Sequence, residues 1–382
     1  MRIAFYAPLK APDHPVPSGD RRVARLFMEA LRCGGHDVEL ASRFRSYDGS
    51  GEAIRQARLQ RLGVRLASRY LERCRGTAPD LWFTYHLYHK APDWLGPTVA
   101  ARLGIPYVLA EASFAPKQAA GPWAAGHAAV AAAIREAERV ICINRDDAAC
   151  LRPLLQSARR LNEINPFLDI EPARDARNRR TAHRRTLAAR LGIEPGVPWI
   201  AVVAMMRQGD KLASYRMLGD ALDRIGDRRW VLLVAGDGPA RPEVAKALNF
   251  GDRVRFLGVL DEPAVDQLNA AADLGAWPAV NEAFGMAALE AQAAGLPLVV
   301  GDRPGVRQIV QAGETALLAG PEDPAAFARA LASLLDDPIR RREMSAAALA
   351  RVAREHSLSV AAHRLDAVVV AAVADRLRAR AS

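Results

Sequence analysis

The strongest constraint on the fold is a regular alternation of short apolar runs with longer helical patterns. In the first half, the apolar runs lie near residues 3–7, 37–41, 81–85, 107–110 and 140–143. Strands that alternate with helices predict parallel sheets joined by right-handed crossovers. Ligands of such sheets bind at the carboxyl ends of the strands. We therefore expect an α/β fold whose functional residues lie in the loops that follow strands.

Composition indicates a soluble globular protein with a basic surface. Half of the 382 residues are apolar, and no apolar run approaches the roughly 18 residues that a membrane span needs. A strand pattern follows Met1 and Arg2 directly, and the four cysteines form no CxxC pair, so we expect a cytoplasmic protein with reduced thiols. The formal net charge of +10 favours an anionic partner. A nucleic acid is not expected, because no nucleic-acid-binding motif accompanies the charge.

Residues 274–300 contain the most informative motif. A strand pattern leads into a loop that contains Glu282, and a helical pattern follows from residue 285 to 294, with Glu290 inside it. A helix N-terminus binds anions through unpaired N–H groups, whereas a carboxylate accepts hydrogen bonds from hydroxyl groups. The combination indicates a ligand that carries hydroxyls next to an anion. The alternative is that Glu282 only favours the helix dipole.

Two cations follow the first strand pattern of the second half. Residues 199–204 form that pattern, and Arg207 and Lys211 come after it, at the start of the next helical pattern. Positive side chains oppose the usual preference for acids at a helix N-terminus. A multiply charged anion bound among them would remove the repulsion. The two residues therefore predict a site for a multiply charged anion.

Taken together, these motifs resemble family 4 retaining glycosyltransferases of the GT-B fold, also called glycosyl transferases group 1. The resemblance is carried by Glu-x7-Glu from Glu282 to Glu290, with Phe284 and Gly285 inside it, and by Ala-x-Ala-x-Gly-x-Pro ending at Pro297. It is clear over residues 195–335 and weaker over 1–170. It implies two Rossmann-like, doubly wound α/β domains that face each other across a cleft.

The resemblance also implies a domain plan. We predict a Rossmann-like acceptor-binding domain over residues 1–168 and a Rossmann-like nucleotide-sugar-binding domain over 196–355. Residues 169–195 are predicted to be a linker, because residues 174–190 are dense in arginine and poor in apolar residues. Residues 356–382 are predicted to form a helix that crosses back to the first domain.

Residue roles follow from the same resemblance. The implied reaction moves a sugar from a nucleoside-diphosphate sugar to a hydroxyl of a glycan, a lipid-linked acceptor or a small molecule, with retention. Arg207 and Lys211 would stabilise the diphosphate, and Glu282 would orient the sugar. No cofactor or metal is expected, because the sequence has no Asp-x-Asp motif or histidine cluster. The expected donor-binding residues are Gly19, Phe284, Gly285, Met286, Ala287 and Glu290.

Loops of the first half supply the candidates for the acceptor side. His86 ends the third strand pattern, at a position where the family often has a histidine. The fourth strand pattern often ends in a cleft histidine in the family, but here Glu111 and Ser113 are the polar residues. Either one can take the place of that histidine, or this protein recognises its acceptor differently. Glu111 can also be a simple loop residue. Gly19 has an alternative role as a flexible entry into a helix.

A stripe of arginines marks the helical pattern between residues 55 and 74. Its members recur every three or four residues and therefore share one side of the helix. The stripe predicts contact with an anionic membrane surface, and a solvated outer helix is the alternative. The arginines are Arg58, Arg61, Arg65, Arg69 and Arg73.

Two further functions remain open at this level. A GT-B epimerase or phosphorylase would use a similar nucleotide site, although the Glu-x7-Glu stretch argues against it. A non-catalytic relative that binds a sugar nucleotide is the other alternative, because the usual cleft histidine is missing.

Overall fold

The computed structural model describes residues 1–16, 18–282 and 285–381. It contains two compact units: the first comprises Met1–Asn165 and Leu358–Ser382, and the second comprises Pro166–Ser357. Within the described residues, each unit has one six-stranded parallel sheet covered by helices. The α/β class predicted from the alternation is therefore confirmed.

The first unit alternates strands and helices up to its last strand, and a terminal helix completes it. Its elements are β1 Arg2–Tyr6, α1 Gly19–Cys33, β2 Asp37–Ser42, α2 Ala53–Arg73, β3 Leu81–Leu87, α3 Gly96–Leu103, β4 Tyr107–Ala112, α4 Ala124–Glu136, β5 Arg139–Cys142, α5 Ala148–Leu151, β6 Leu161–Glu163 and, after the second unit, the terminal helix Leu358–Ala381.

The first sheet reverses its strand order between β1 and β3. The order is β2-β1-β3-β4-β5-β6, so the chain moves outward to β2 and then returns to the other side of β1. Loops that follow the two strands at such a reversal diverge and leave a crevice at the carboxyl ends. Stacked aromatic rings fill the core below it, with the ring centroids of Phe5 and Phe83 5.6 Å apart.

The second unit repeats the alternation after two leading helices. Its elements are α6 Glu171–Asn178, α7 Arg180–Leu191, β7 Trp199–Val203, α8 Asp210–Asp223, β8 Val231–Ala235, α9 Arg241–Ala247, β9 Val254–Gly258, α10 Glu262–Ala271, β10 Leu274–Trp277, α11 Met286–Ala293, β11 Leu298–Gly301, α12 Pro304–Arg307, β12 Ala316–Ala319, α13 Pro324–Asp336 and α14 Pro338–Glu355; the terminal helix of the first unit is then α15.

The second sheet reverses its order between β7 and β10. The strands lie in the order β12-β11-β10-β7-β8-β9, and all neighbouring pairs are parallel. Tyr215 of α8 ties the carboxyl ends of these two strands together. Its hydroxyl donates to the carbonyl of Ala204 at 2.8 Å, and its ring packs edge-on against Trp277 with centroids 5.1 Å apart.

The predicted linker over residues 169–195 contains α6 and α7 instead, and both helices belong to the second unit. Arg180 pairs with Asp273 at 2.8 Å, and the guanidinium carbon of Arg184 lies 4.3 Å from the centroid of the Trp199 ring. Both arginines also donate to carbonyls at the end of α10. The arginine density indicated a solvated segment, whereas these side chains satisfy buried acceptors.

Helix α15 packs on α1 within the first unit. Among the described residues, three ion pairs hold it: His36 to Asp366 at 3.2 Å, Arg376 to Glu138 at 2.9 Å, and Arg139 to Asp375. In the part of the chain that the structure describes, no helix is both long enough and apolar enough to cross a membrane.

Candidate functional site

The principal candidate site is a cavity of about 470 Å³ in the second unit. It opens where the strand order reverses, between the loops that follow β7 and β10. Its wall includes Arg207, Lys211 and Glu282, together with residues 285–287 at the start of α11. A volume of this size is typical of small-molecule sites. The structure therefore brings six of the eight sequence-predicted residues of this half to one cavity.

The loop that carries Arg207 is held by the glycine turn after β8. Gly238 has a φ of 152°, and a Cβ there would lie 2.3 Å from the carbonyl oxygen of Met206. The same carbonyl accepts from the N–H of Ala240 at 2.9 Å. Only glycine permits this close approach, so the turn fixes the backbone next to Arg207.

Lys211 and Glu282 form an ion pair at the cavity wall. Trp277 completes the arrangement, because its indole Nε1 donates to the Glu282 carboxylate at 3.3 Å. The ammonium of Lys211 also lies 5.2 Å from the centroid of the Trp277 ring. The sequence placed both charged residues near an anion, but it did not indicate this mutual pairing or the tryptophan.

Arg207 is exposed at the same edge, and it has no acidic partner among the residues that the structure describes. Helix α11 begins beside it, capped by Gly285 in the left-handed region with a φ of 65°. Ala279 and Asn281, in the loop before this helix, also have positive φ values, of 54° and 55°. A positive φ costs a non-glycine residue about 1–2 kcal/mol, and residues in this conformation are commonly found in functional loops.

Two predicted donor-binding residues, Phe284 and Glu290, are not among the described residues of the cavity wall. Phe284 lies outside the described residues. Glu290 lies on α11, one turn after Met286, and it is half-buried. It is not among the described residues that line the cavity. Its predicted contact with a ribose stays a prediction.

The acceptor-side candidates of the first unit lie at the reversal between β1 and β3. His86 and Glu111 are neighbours across β3 and β4, with φ values of 59° and 58°. The ring Nδ1 of His86 lies 3.0 Å from the carboxylate of Asp20, in the first turn of α1. Sequence reasoning missed Asp20, although its place after β1 made it a candidate under the strand-end rule.

Burial and nearby charges shift the pKa values of Glu111 and His86. Burial raises the pKa of Glu111 to about 7; the charge of His86 opposes this, and Asp147 and Asp20 add to it. Burial also disfavours the charged form of His86, but the carboxylates of Asp20, Glu111 and Asp147 outweigh it and raise the pKa of the ring. Glu111 therefore exchanges its proton near neutral pH, and His86 holds its proton to a higher pH than an ordinary imidazole.

We expect Glu111 and His86 to contribute stability that is lost as the pH rises from about 5 to 8. His36 and His89, whose pKa values burial lowers, act in the opposite direction. Glu111 keeps its proton in the folded state over a range where the unfolded chain has released it, so the folded state binds more protons. The raised pKa of His86 acts in the same direction. Glu111→Gln should remove much of this decrease and should be more stable than wild type at pH 8 by about 1 kcal/mol.

Urea unfolding at pH 5, 6.5 and 8 measures this effect. Glu29→Gln is the matched control, because Glu29 is an exposed carboxylate on α1 of the same unit. Identical pH dependence in wild type and Glu111→Gln would contradict the assignment.

Two further expectations from the sequence concern a donor-binding role for Gly19 and a site without a metal ion. Gly19 is the first residue of α1, and an added Cβ would meet nothing within 4 Å. Its backbone therefore does not require glycine, and its predicted role with a donor stays a prediction. Among the described residues, no group of three or more His, Cys, Asp or Glu side chains has the arrangement of a metal site.

Sequence comparison finds a family for much of the second unit. Residues 198–337 match the family described as glycosyl transferases group 1. D-inositol 3-phosphate glycosyltransferase of Nocardia farcinica is 33% identical over 231 residues, covering 58% of this chain and 50% of that protein. The protein of the same name from Corynebacterium glutamicum strain R is 31% identical over 226 residues, covering 56% and 53%. The chain spans about half the length of the curated relatives it matches.

Solved structures match almost the whole chain. Sucrose-phosphate synthase of Thermosynechococcus elongatus has a TM-score of 0.72 at 20% identity, covering 98% of this chain and 99% of that one. Anabaena HepE in complex with UDP also has a TM-score of 0.72, at 16% identity, covering 97% and 100%. Likeness at this identity shows the fold alone. Residues 198–337 thus match the glycosyl transferases group 1 family, and the fold of the chain is the GT-B fold.

Proposed function

We propose that this protein moves a sugar from a nucleoside-diphosphate sugar to an acceptor hydroxyl, with retention of configuration at the anomeric carbon. The convergence of Arg207, Lys211 and Glu282 on one cavity beside the start of α11 carries the proposal. Cations and helix N–H groups bind a diphosphate, and a carboxylate binds sugar hydroxyls. The group 1 family match of residues 198–337 supports the same class of reaction.

The difficult step is cleavage of the bond between the sugar and the diphosphate. Cleavage leaves a sugar with oxocarbenium character and adds negative charge to the diphosphate. Arg207, Lys211 and the N–H groups at the start of α11 stabilise that charge, and such preorganised groups supply large catalytic effects. The acceptor oxygen attacks from the side of the leaving group and passes its proton to a diphosphate oxygen. In this proposal the two cations do the work of a metal ion, so EDTA should leave turnover unchanged.

Donor binding exchanges the partners of the Lys211–Glu282 pair. Without a ligand, each residue neutralises the other at the cavity wall. A diphosphate attracts Lys211 and leaves Glu282 for the sugar hydroxyls. A bare nucleotide lacks the transferred sugar and its hydroxyls, so it separates the pair without compensating the Glu282 carboxylate. This exchange favours a complete sugar nucleotide over its nucleoside diphosphate.

The acceptor hydroxyl is proposed to bind near His86 and Glu111 of the first unit. Their ring nitrogen and carboxyl group both form hydrogen bonds to hydroxyls. The acceptor in the name of the curated relatives is an inositol phosphate. Asp20, Asp147 and the ionised fraction of Glu111 together outnumber the single positive charge of His86, so we propose a hydroxyl-rich acceptor without phosphate at this point.

An anionic membrane surface is the second partner that we propose, through the exposed face of α2. Four of its arginines are exposed and have no ion pair among the described residues. Ile54, Leu62 and Val64 are also exposed, at 84%, 42% and 48%. Basic side chains interspersed with apolar ones are typical of helices that lie on anionic bilayers. The four arginines are Arg58, Arg61, Arg65 and Arg69.

Reversing these four charges to glutamate should abolish sedimentation with phosphatidylserine vesicles at low salt. The wild-type protein should bind the vesicles and should be released by salt, because surface attraction is screened. The control reverses four exposed arginines of the second unit and should keep binding. Equal sedimentation of both variants would refute the α2 surface. The control positions are Arg185, Arg190, Arg224 and Arg329.

Ligand-dependent thermal stability tests the proposed donor site. Wild-type protein is heated with UDP, GDP, ADP or CMP and then with the sugar nucleotides of any base that stabilises it. UDP-glucose comes first, because Anabaena HepE has been solved with that ligand. A ligand at about a hundred times its Kd adds about 2.7 kcal/mol of stability. Absence of stabilisation by every nucleotide would refute the proposal.

Product analysis separates this reaction from its alternatives. Transfer releases a nucleoside diphosphate and forms a glycoside of unchanged anomeric configuration. An epimerase would return an isomeric sugar nucleotide, a phosphorylase would consume phosphate, and a binding protein would release no product.

A further inference from the structure

The indole of Trp277 contacts both members of the charged pair at the cavity wall, and it has no role in the steps above. Trp277 is the last residue of β10 and lines the cavity. Its Nε1 donates to the Glu282 carboxylate at 3.3 Å, and the Lys211 ammonium lies 5.2 Å from the centroid of its ring. A neutral side chain that contacts an acid and its cationic partner can hold either one when the two separate.

The core of the second unit sets the orientation of this ring. The indole packs edge-on against the ring of Tyr215, with centroids 5.1 Å apart. Tyr215 lies on α8 and is fully buried, and its hydroxyl is anchored on the carbonyl of Ala204. None of these contacts involves a charged group. We therefore expect the indole to keep its orientation whether Lys211 and Glu282 are paired or separated.

The loop that carries Glu282 is held at its backbone, but the carboxylate is held by two side chains. The N–H of Val280 donates to the hydroxyl of Ser214 at 3.0 Å, which ties the main chain of the loop to α8. This bond leaves the side-chain torsions of Glu282 free. Among the residues that the structure describes, only Lys211 and Trp277 bond its carboxylate. When Lys211 turns to a diphosphate, the indole N–H is the contact that remains.

We propose that Trp277 is a positioning residue for sugar transfer: its N–H keeps the Glu282 carboxylate in the orientation that receives the sugar hydroxyls after Lys211 has moved to the diphosphate. The indole N–H is a neutral donor, so it is not drawn to the diphosphate as a cation would be, and it stays on the carboxylate. The negative face of the ring also attracts the ammonium while it changes partners. This inference rests on the proposed nucleotide-sugar function of the cavity.

Trp277→Phe tests the N–H, because it keeps an aromatic ring and removes the donor. The kcat/KM for the sugar nucleotide that stabilises wild type should fall about tenfold, the size of one lost hydrogen bond to a charged group. In a Glu282→Ala background the same substitution should have no effect, because a positioning residue acts through the group it positions. Titration calorimetry gives the same cycle as Kd values if Glu282→Ala turns over too slowly. Trp94→Phe, at a half-buried tryptophan of the first unit, is the control and should leave kcat/KM unchanged.

The double-mutant cycle separates positioning from a merely structural role. An equal loss from Trp277→Phe in both backgrounds would overturn the inference, because the effect would not pass through Glu282. Wild-type kcat/KM in Trp277→Phe would overturn it too, while the donor site would stand. If Trp277→Phe does not fold, benzothienylalanine in place of Trp277 keeps the size of the indole without its N–H, and the same outcomes apply. Failure of wild type to bind any sugar nucleotide would instead refute the proposed function.

Discussion

Replacing Lys211 by alanine is expected to lower the rate of donor turnover at least a hundredfold. The substitution removes one of two cations that stabilise the charge developing on the diphosphate, and loss of a single such group typically costs a hundred- to a thousandfold. The rate is followed as release of nucleoside diphosphate from the sugar nucleotide, with water or an added acceptor. Stabilisation by the bare nucleoside diphosphate should disappear in the same variant, because its phosphate contact is lost.

Two comparisons show whether this loss is catalytic. Lys246→Ala removes the same charge from an exposed position on α9 and should leave turnover near that of wild type. Lys211→Ala should unfold without ligand within a few degrees of wild type, because the Lys211–Glu282 ion pair is partly exposed and such pairs contribute about 0–1 kcal/mol. Turnover near the wild-type rate in a folded Lys211→Ala would remove Lys211 from the mechanism.

The architecture follows from patterns that are local in the sequence. Strand and helix patterns alternate, and their parallel pairing places all the loops that follow strands at one edge. That rule alone predicted that Arg207, Lys211 and Glu282 lie at the carboxyl edge of one sheet. Their direct meeting needed the strand order, because β10 lies next to β7 although the sequence separates the two strands by β8 and β9. Strand order is a tertiary property that alternation does not determine.

Contacts between side chains were the least predictable part. The Lys211–Glu282 pair joins residues 71 positions apart, and the Asp20–His86 pair depends on where α1 begins relative to β3. Arg180 and Arg184 of α7 were misassigned to a linker for the same reason. Composition records charge, but it does not record which acceptors that charge will satisfy.

Replacing Glu282 by alanine is expected to affect sugar nucleotides and bare nucleotides in opposite directions. The Kd of the sugar nucleotide should rise about tenfold or more, because hydrogen bonds from sugar hydroxyls to a carboxylate contribute about 1.5–3 kcal/mol. The Kd of the nucleoside diphosphate should stay constant or fall, because Lys211 no longer has to leave Glu282 to meet the phosphates. Titration calorimetry with the sugar nucleotide that stabilises wild type, and with its nucleoside diphosphate, measures both values.

This pattern distinguishes a sugar contact from a general effect of charge. Glu243→Ala removes a half-buried carboxylate of the same unit, and it should change neither Kd. Glu243 accepts from Gln208 at 2.8 Å and is not among the described residues of the cavity wall. Equal weakening of both ligands by Glu282→Ala would mean that the carboxylate only maintains the loop before α11. Tighter binding of both would mean that Glu282 acts solely as a competitor for Lys211. Opposite shifts are expected only if the same carboxylate restrains Lys211 in the free protein and receives the sugar in the complex.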